Sequence, residues 1–369
     1  MGTTSSFFGG GGGDPLPQPE WVFQKSSYTY TFPYDGTVIV HVVGAGGSGA
    51  VQQSSFLCTG GGAGGYSRKQ FSVTTSTSAT VTSGVGGKSV GNDLTVSAGV
   101  AGTVSTFVLG SDTLTANGGA GGNQYPGPNV SAAGGTASGG DVNYQGGRSG
   151  KIYAQYNNAF RACTGGGAVN LFGLSTDDVA GGDLTNASTL VGTGGGGTGG
   201  KGGDIGCSGP RRASGGGGAA GPAKTIESGP SGDARSSAGG PGGARLFKFN
   251  GPLLDGVGGR GLFSFINSTS GLSPMPSFGT FGMGAGTGGY VALNGEDGYG
   301  ADVQPPTAGL FGGGGGSAIK GNGGFGSHAS LGGGGGAITT ESGSSAAQMR
   351  RMSGAGGDGV IIIEYIGRG

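Results

Sequence analysis

The sequence predicts a mainly β protein with few helices. An N-terminal antiparallel β-strand region closed by the C-terminal strand adjoins a glycine-rich body of packed polyproline II helices. Three observations predict this. Apolar, β-branched runs such as Thr37 to Val43 and Val360 to Ile366 have strand character. Two runs of five glycines, Gly312 to Gly316 and Gly332 to Gly336, have no side chains to bury and suit neither a helix nor an ordinary strand. Apolar residues at helical spacing are confined to Glu341 to Met352, enough for two turns. Extended glycine threads packed side by side can satisfy one another's N–H and C=O groups, closing the backbone account without an apolar core.

Residues 1–20 read as a flexible tail or anchor. Phe7 and Phe8 precede Gly9 to Gly13, and two phenylalanines on such a leader are the candidate anchoring residues, suited to insertion into a partner. Residues 21–116 read as the β-rich region. Tyr28 to Phe32 and Thr37 to Val43, joined by Pro33 to Gly36, read as a hairpin, with His41 as a packed strand residue. Tyr66 to Val73 and Ser78 to Thr82 read as a second pair, and Thr103 to Leu109 with Asp112 to Ala116 as a third, turned at Gly110-Ser111. Residues 117–356 read as the polyproline II body interrupted by inserts of varied character. Residues 357–369 read as the closing strand, which pairs back with Thr37 to Val43 because each would otherwise expose an apolar edge. The words Cys-Thr-Gly-Gly-Gly-Ala occur at Cys58 to Ala63 and again at Cys163 to Ala168, but no fixed period carries through.

Composition bounds the function. Of 369 residues, 100 are Gly and 15 are Pro, about 31%, while only 10% are charged; disordered chains are usually richer in charge. Glycine in no strict third-position register excludes collagen. Lys plus Arg and Asp plus Glu are both 19, so net charge draws the chain to neither nucleic acid nor anionic membrane. No apolar run approaches the ~20 residues of a membrane span, and the start lacks signal-peptide character, so the reading is a soluble product of a cytosol.

Two motifs mislead. Gly44 to Gly49 spells a dinucleotide fingerprint after an apolar strand, yet no helix follows and the next acid is Asp93. Gly86-Gly-Lys-Ser89 imitates the end of a P-loop whose first glycine would have to stand at Thr82. No serine–histidine–aspartate set, carboxylate pair or metal cluster has a meaningful spacing. An enzyme is therefore not expected, nor any cofactor or metal. Asp177-Asp178 reads as a solvated turn, and Cys58, Cys163 and Cys207 as small buried residues.

Side chains concentrate in the inserts. Lys151 to Arg161 is aromatic and amide-rich, Arg245 to Phe249 alternates like a strand, and Leu262 to Ile266 and Pro274 to Phe281 place aromatics near turn residues. Rigid aromatics beside adaptable Asn, Ser and Gly suit a recognition surface. Tyr153, Tyr156, Phe160, Arg161, Phe263, Phe265, Phe278 and Phe281 are the candidate receptor-binding residues; the alternative is that they plug the β region or cap the lattice ends.

The tyrosine-rich strand, the Pro-x-x-Gly turn, Val38-Ile-Val-His-Val-Val-Gly-Ala-Gly-Gly47, Gly61-Gly-Ala-Gly-Gly-Tyr-Ser67 with Arg68, and Gly357-Asp-Gly-Val-Ile-Ile-Ile-Glu-Tyr365 resemble the glycine-rich domain of bacteriophage tail-fibre and tail-tip adhesin proteins. The resemblance spans about Trp21 to Tyr365. It implies a virion structural protein, made in the host cytoplasm, that presents loops to a host-surface receptor. Its implied partners are other tail or fibre proteins and a host cell-surface glycan or outer-surface protein, with a homotrimer as the usual fibre assembly and with no nucleic acid and no membrane insertion. A chain that begins β-rich and lacks a recognisable fibre-docking domain departs from the adhesin pattern. The alternative expectation is a purely architectural virion protein, a head decoration or fibre spacer, that binds no receptor.

Overall fold

The computed structural model describes residues 20–53, 57–91, 96–124, 129–153, 161–185, 190–206, 212–214, 216–218, 221–223, 225, 235–236, 286, 290–292, 308, 310–319, 324–340 and 351–368. Among these there is no helix. The strands are β1 (Glu20–Val22), β2 (Tyr28–Thr31), β3 (Gly36–Val43), β4 (Val51–Gln53), β5 (Leu57–Cys58), β6 (Tyr66–Val73), β7 (Ser78–Thr82), β8 (Ser105–Leu109), β9 (Asp112–Ala116), β10 (Ala137–Ser138) and β11 (Val142–Tyr144). There follow β12 (Arg161–Cys163), β13 (Leu190–Gly192), β14 (Arg212–Ala213), β15 (Arg235–Ser236), β16 (Tyr290–Ala292), β17 (Ser317–Ile319), β18 (Gly324–Phe325), β19 (Ile338–Thr340), β20 (Arg351–Met352) and β21 (Val360–Arg368). The expected turns of helix at Glu341 to Met352 fall mostly on residues 341–350, outside the described residues, and Arg351–Met352 is strand.

Two antiparallel five-stranded sheets form a sandwich, ordered β1-β21-β3-β6-β11 and β10-β9-β8-β7-β2. Alternation turns Val38, Val40 and Val42 of β3, Phe71 and Val73 of β6, and Ile361, Ile363 and Tyr365 of β21 inward. They meet Tyr30, Ala79, Val81, Phe107, Leu114 and Ala116 of the other sheet in one core. The Phe71 and Phe107 rings bridge the sheets at 5.6 Å. β21 pairs antiparallel with β3 from Val360↔Val43 onward, as the apolar edges of both strands require. The β8–β9 hairpin turns at Gly110, whose φ of +60° glycine adopts without strain.

The hairpin expected of β2 with β3 and the strand pair expected of β6 with β7 do not form; both links are corners instead. β2 pairs with β7, and β3 with β21 and β6, so the link Phe32 to Asp35 carries the chain from one sheet to the other; Thr74 to Thr77 carries it back. The corners are tied together where Asp35 Oδ1 accepts the Thr75 N–H at 2.6 Å and Phe32 N donates to Thr77 O at 3.1 Å. Pairing β2 with β3 would have put both apolar faces on one sheet with nothing opposite. Splitting them across a sandwich buries both.

Below the sandwich the backbone bonds follow a period of three. The N–H groups of Gly44, Gly47 and Ala50 donate to Gly65, Gly62 and Thr59. Those of Ala45, Ser48 and Val51 donate to Thr103, Val100 and Ser97, and those of Gly46 and Gly49 to Gly357 and Gly354. Each thread thus presents successive residues to different antiparallel neighbours. The run from Gly332 to Ala337 is central, bonded to threads 44–49, 61–64, 164–167, 312–316, 327–330 and 354–357. Glycine is required by the approach distance: a Cβ on Gly334 would lie 2.5 Å from the Gly61 carbonyl carbon and 2.9 Å from that of Gly62. The segment Gly44 to Gly49, which spells the dinucleotide fingerprint, is one of these threads.

Candidate functional site

Every thread runs away from the sandwich or back to it, and the strand pairings fix where the threads turn. β4, β19, β17 and β16 lie in one parallel ladder, with Val51↔Ile338, Ile338↔Ser317 and Ser317↔Tyr290 in register. Each is followed by an insert: 54–56, 341–350, 320–323 and the stretch after 292. β5, β12, β13, β14 and β15 form a second parallel ladder through Cys58↔Cys163, Cys163↔Gly192, Gly192↔Ala213 and Ala213↔Ser236, and each is preceded by an insert. The insert 54–56 joins the last strand of the first ladder to the first of the second. The inserts whose flanks are described on both sides, 54–56, 154–160, 186–189, 207–211, 320–323 and 341–350, therefore begin and end at one end of the glycine body, opposite the sandwich.

The flanking rungs repeat. Outbound, Ile152, Leu184 and Ile205 bridge in parallel and bury a small core with Val191 and the partly buried Leu57. Inbound, Thr164, Thr193 and Ser214 occupy equivalent places. Each hydroxyl donates to a carbonyl, of Gly150 at 3.0 Å, Gly182 at 2.6 Å and Gly203 respectively. Each also accepts the N–H of the preceding rung, Gly60 at 3.3 Å, Gly165 at 3.1 Å and Gly194 at 3.0 Å. The two Cys-Thr-Gly-Gly-Gly-Ala words are thus adjacent parallel rungs. The sequence hid the repeat because inserts of unequal length separate the rungs. Its legible signal was small, a hydroxyl residue before each glycine run and Gly-Lys-Ile, Gly-Asp-Leu and Gly-Asp-Ile at 150–152, 182–184 and 203–205.

A charge network staples these rungs. The buried Arg148 forks onto Asp183, Nη1 to Oδ1 at 2.7 Å and Nη2 to Oδ2 at 3.0 Å, and its Nε pairs with Asp177. Asp183 also accepts Lys151 N at 2.6 Å and Lys201 Nζ at 2.6 Å, and Asp204 takes the Asp183 N–H at 2.7 Å and Lys201 Nζ. Burial by itself would raise the Asp183 carboxyl, but Arg148 and Lys201 hold it below the ordinary range. Burial opposes the charge of Arg148 as well, and its two carboxylates more than offset that. The Asp177-Asp178 turn is solvated as expected, both residues being exposed: Asp178 closes it against Ser175 Oγ at 2.7 Å, and Asp177 additionally pairs with Arg148.

Of the predicted contact residues, Tyr153 stands at the start of an insert, 41% exposed, with its N–H on Leu184 O at 2.9 Å and its hydroxyl 3.5 Å from Asp183 Oδ2. Burial and then the Asp183 charge raise its phenol pKa. Arg161 opens β12 at the same end. Tyr156, Phe160, Phe263, Phe265, Phe278 and Phe281, the anchor residues Phe7 and Phe8, and the segment Arg245 to Phe249 lie outside the described residues. Cys58 is buried and its thiol donates to Ile338 O at 3.3 Å. Nor is His41 without partners: its Nδ1 is 2.8 Å from Tyr66 Oη and its Nε2 3.6 Å from Glu364. Among the described residues no group of His, Cys, Asp and Glu could hold a metal ion, and no helix is long and apolar enough to cross a membrane.

A strand sandwich feeding a glycine bundle defines the class of protein, and the comparison with known families agrees. A glycine-rich domain family matches residues 23–246, more than half of the chain. The chain belongs to that glycine-rich domain family. No curated relative matches it.

Proposed function

We propose that the chain is a structural protein of a phage virion, a tail-fibre or adhesin component whose glycine threads form a polyproline II bundle and whose inserts engage a host-surface receptor. The observation that carries this reading is the shared end at which the inserts begin and finish. The three-residue period of the thread bonds matches the ~3 residues per turn of polyproline II, which supports the bundle. A bundle held by main-chain bonds leaves insert sequences free to vary, and the sandwich at the other end is available for attachment to the particle. Tyr153 and Arg161 border an insert rich in aromatic and amide groups.

The test is adsorption. Purified chain incubated with host cells should block attachment of the particle that carries it. Replacing residues 154–160 by a short Gly-Ser linker should abolish the block while leaving the melting temperature nearly unchanged. A chain that assembles into particles yet never blocks adsorption is the architectural protein instead, and a large fall in melting temperature on replacement makes the insert structural.

A further inference from the structure

One edge of the sandwich has its main chain laid out for pairing. Of the four edge strands, β1 and β11 have three residues and β10 two, whereas β2 has four, Tyr28-Thr-Tyr-Thr31. Two observations fix which of its groups face outward. Phe32 N donates to Thr77 O at 3.1 Å, and Phe32 stands in register with Thr77 because Thr31 is opposite Ser78. Hydrogen-bonded and non-bonded pairs alternate along an antiparallel ladder, so Tyr30↔Ala79 and Tyr28↔Val81 are bonded pairs as well. Thr31↔Ser78 is then a non-bonded pair, the kind in which side chains approach most closely, and the two hydroxyls are 3.1 Å apart. The N–H and C=O of Thr29 and of Thr31 therefore point away from β7. Among the described residues no main-chain group bonds to them.

Thr29 and Thr31 are exposed, and β2 contains no lysine, proline, charge or bulge of the kind that guards a sheet edge. An edge without charge meets a copy of itself with no like charges opposed. Glu20, on the neighbouring edge β1, is engaged by the Tyr30 hydroxyl at 2.6 Å. Laid antiparallel about a two-fold axis at Tyr30, two copies of β2 set each Thr29 opposite the other copy's Thr31. Each such pair exchanges two bonds, so every outward group of both strands is satisfied. Sliding one strand by two residues spoils this: it opposes Thr29 to Pro33, which has no N–H, or Thr31 to Ser27, beyond the strand. Tyr28 and Tyr34, 47% and 46% exposed, stand at opposite ends of the edge, and the axis brings Tyr28 of one copy to the end that bears Tyr34 of the other. We infer that two copies of this chain associate through β2, joining two five-stranded sheets into one continuous sheet. The axis reverses strand direction, so the two glycine bundles leave the joined sandwiches at opposite ends. The inference goes beyond the proposed function and does not rest on it.

Sedimentation equilibrium of the full chain from about 1 µM to about 300 µM is the assay, with hydrogen exchange at the Thr29 and Thr31 amides over the same range as the positional readout. The expected result is a monomer–dimer equilibrium in which both amides exchange freely when dilute and gain protection with concentration, while the Tyr30 amide, in its bonded pair with Ala79, is slow throughout. T31P removes one outward donor from each copy and none of the bonds to β7, so it should weaken the dimer roughly tenfold or more with an unchanged melting curve. T29K/T31K sets lysine opposite lysine on the solvent face and should also weaken it, part of the affinity returning at about 500 mM salt. A chain that stays monomeric up to about 300 µM overturns the inference. So does a dimer or trimer that neither variant weakens, which places the contact on another face. Thr29 and Thr31 amides that are slow at every dilution would overturn it too, since a segment of the same chain would then hold the edge. None of these results bears on adsorption, which tests the receptor reading separately.

Discussion

Replacing Gly334 by alanine tests the glycine bundle where it is tightest. The new Cβ would sit 2.5 Å from the Gly61 carbonyl carbon, so one thread must move by roughly 1 Å to restore a normal contact. Gly61 cannot yield alone. Its N–H donates to Gly335 O at 2.8 Å, its carbonyl accepts Gly167 N at 3.1 Å, and Gly334 N donates to Gly167 O at 2.9 Å. Weakening these three bonds at about 1 kcal/mol each costs about 3 kcal/mol. Alanine also restricts the unfolded chain, which returns about 0.4–1 kcal/mol, leaving a net loss of roughly 2–3 kcal/mol. For a chain of this size that corresponds to a fall in Tm of roughly 3–4 °C, read by calorimetry. Two controls separate packing from backbone freedom. Gly367→Ala, whose Cβ would meet nothing nearer than Thr37 Cβ at 3.9 Å, should be near neutral. Gly110→Ala, in open space at φ +60°, should lose only about 1 kcal/mol to backbone strain. A Gly334→Ala chain melting with the Gly367→Ala control would refute close packing of the threads.

Further outcomes follow from the rungs and the charges. Thr193→Val keeps the shape but strips Gly182 O and Gly165 N of their partner, a loss of roughly 1–3 kcal/mol by denaturant titration that Thr193→Ser should largely avoid. Arg148→Met leaves the buried Asp183 with Lys201 but without its fork, costing about 3 kcal/mol, and Arg148→Lys should recover part of this. Because the folded Asp183 pKa is depressed, the stability it contributes is complete above about pH 4 and disappears as pH falls through the folded value. His41 behaves differently: burial lowers its pKa, in part against Glu364, so below about pH 6.5 the unfolded chain binds a proton that the folded chain resists and stability declines. His41→Gln should make the stability profile between about pH 7 and about pH 5 shallower, leaving the share of His328, whose pKa burial also lowers, and the acid limb in place.

Strand-forming runs were legible wherever β-branched residues alternate or cluster, as in Thr37 to Val43, and the pairing of that run with the C-terminal strand followed from their shared apolar edges. Their neighbours were not legible. A four-residue link such as Phe32 to Asp35 serves a hairpin or a corner equally well, and only the second sheet across the core, through Phe107 and Leu114, decides between them. Polyglycine announced a scaffold without its register, because glycine has no side chain to mark which neighbour each residue faces. The repeating rungs were hidden for a different reason: their side-chain marks, Thr164, Thr193 and Ser214 inbound and Ile152, Leu184 and Ile205 outbound, are dispersed by inserts of unequal length. Asp177 reads as a turn acid and is one; its ion pair with Arg148 was not legible, because the two stand 29 residues apart and meet only when two threads lie side by side.

Hydrogen exchange at glycine amides tests the account most directly. In chain labelled with nitrogen-15 glycine, the amides of Gly61, Gly166, Gly334 and Gly335, all bonded to neighbouring threads, should exchange as slowly as the β3 amides and open only with global unfolding. Exchange of those four at the rate of an unstructured glycine peptide, while β3 stays protected, would contradict a bundle held together by its own main chain.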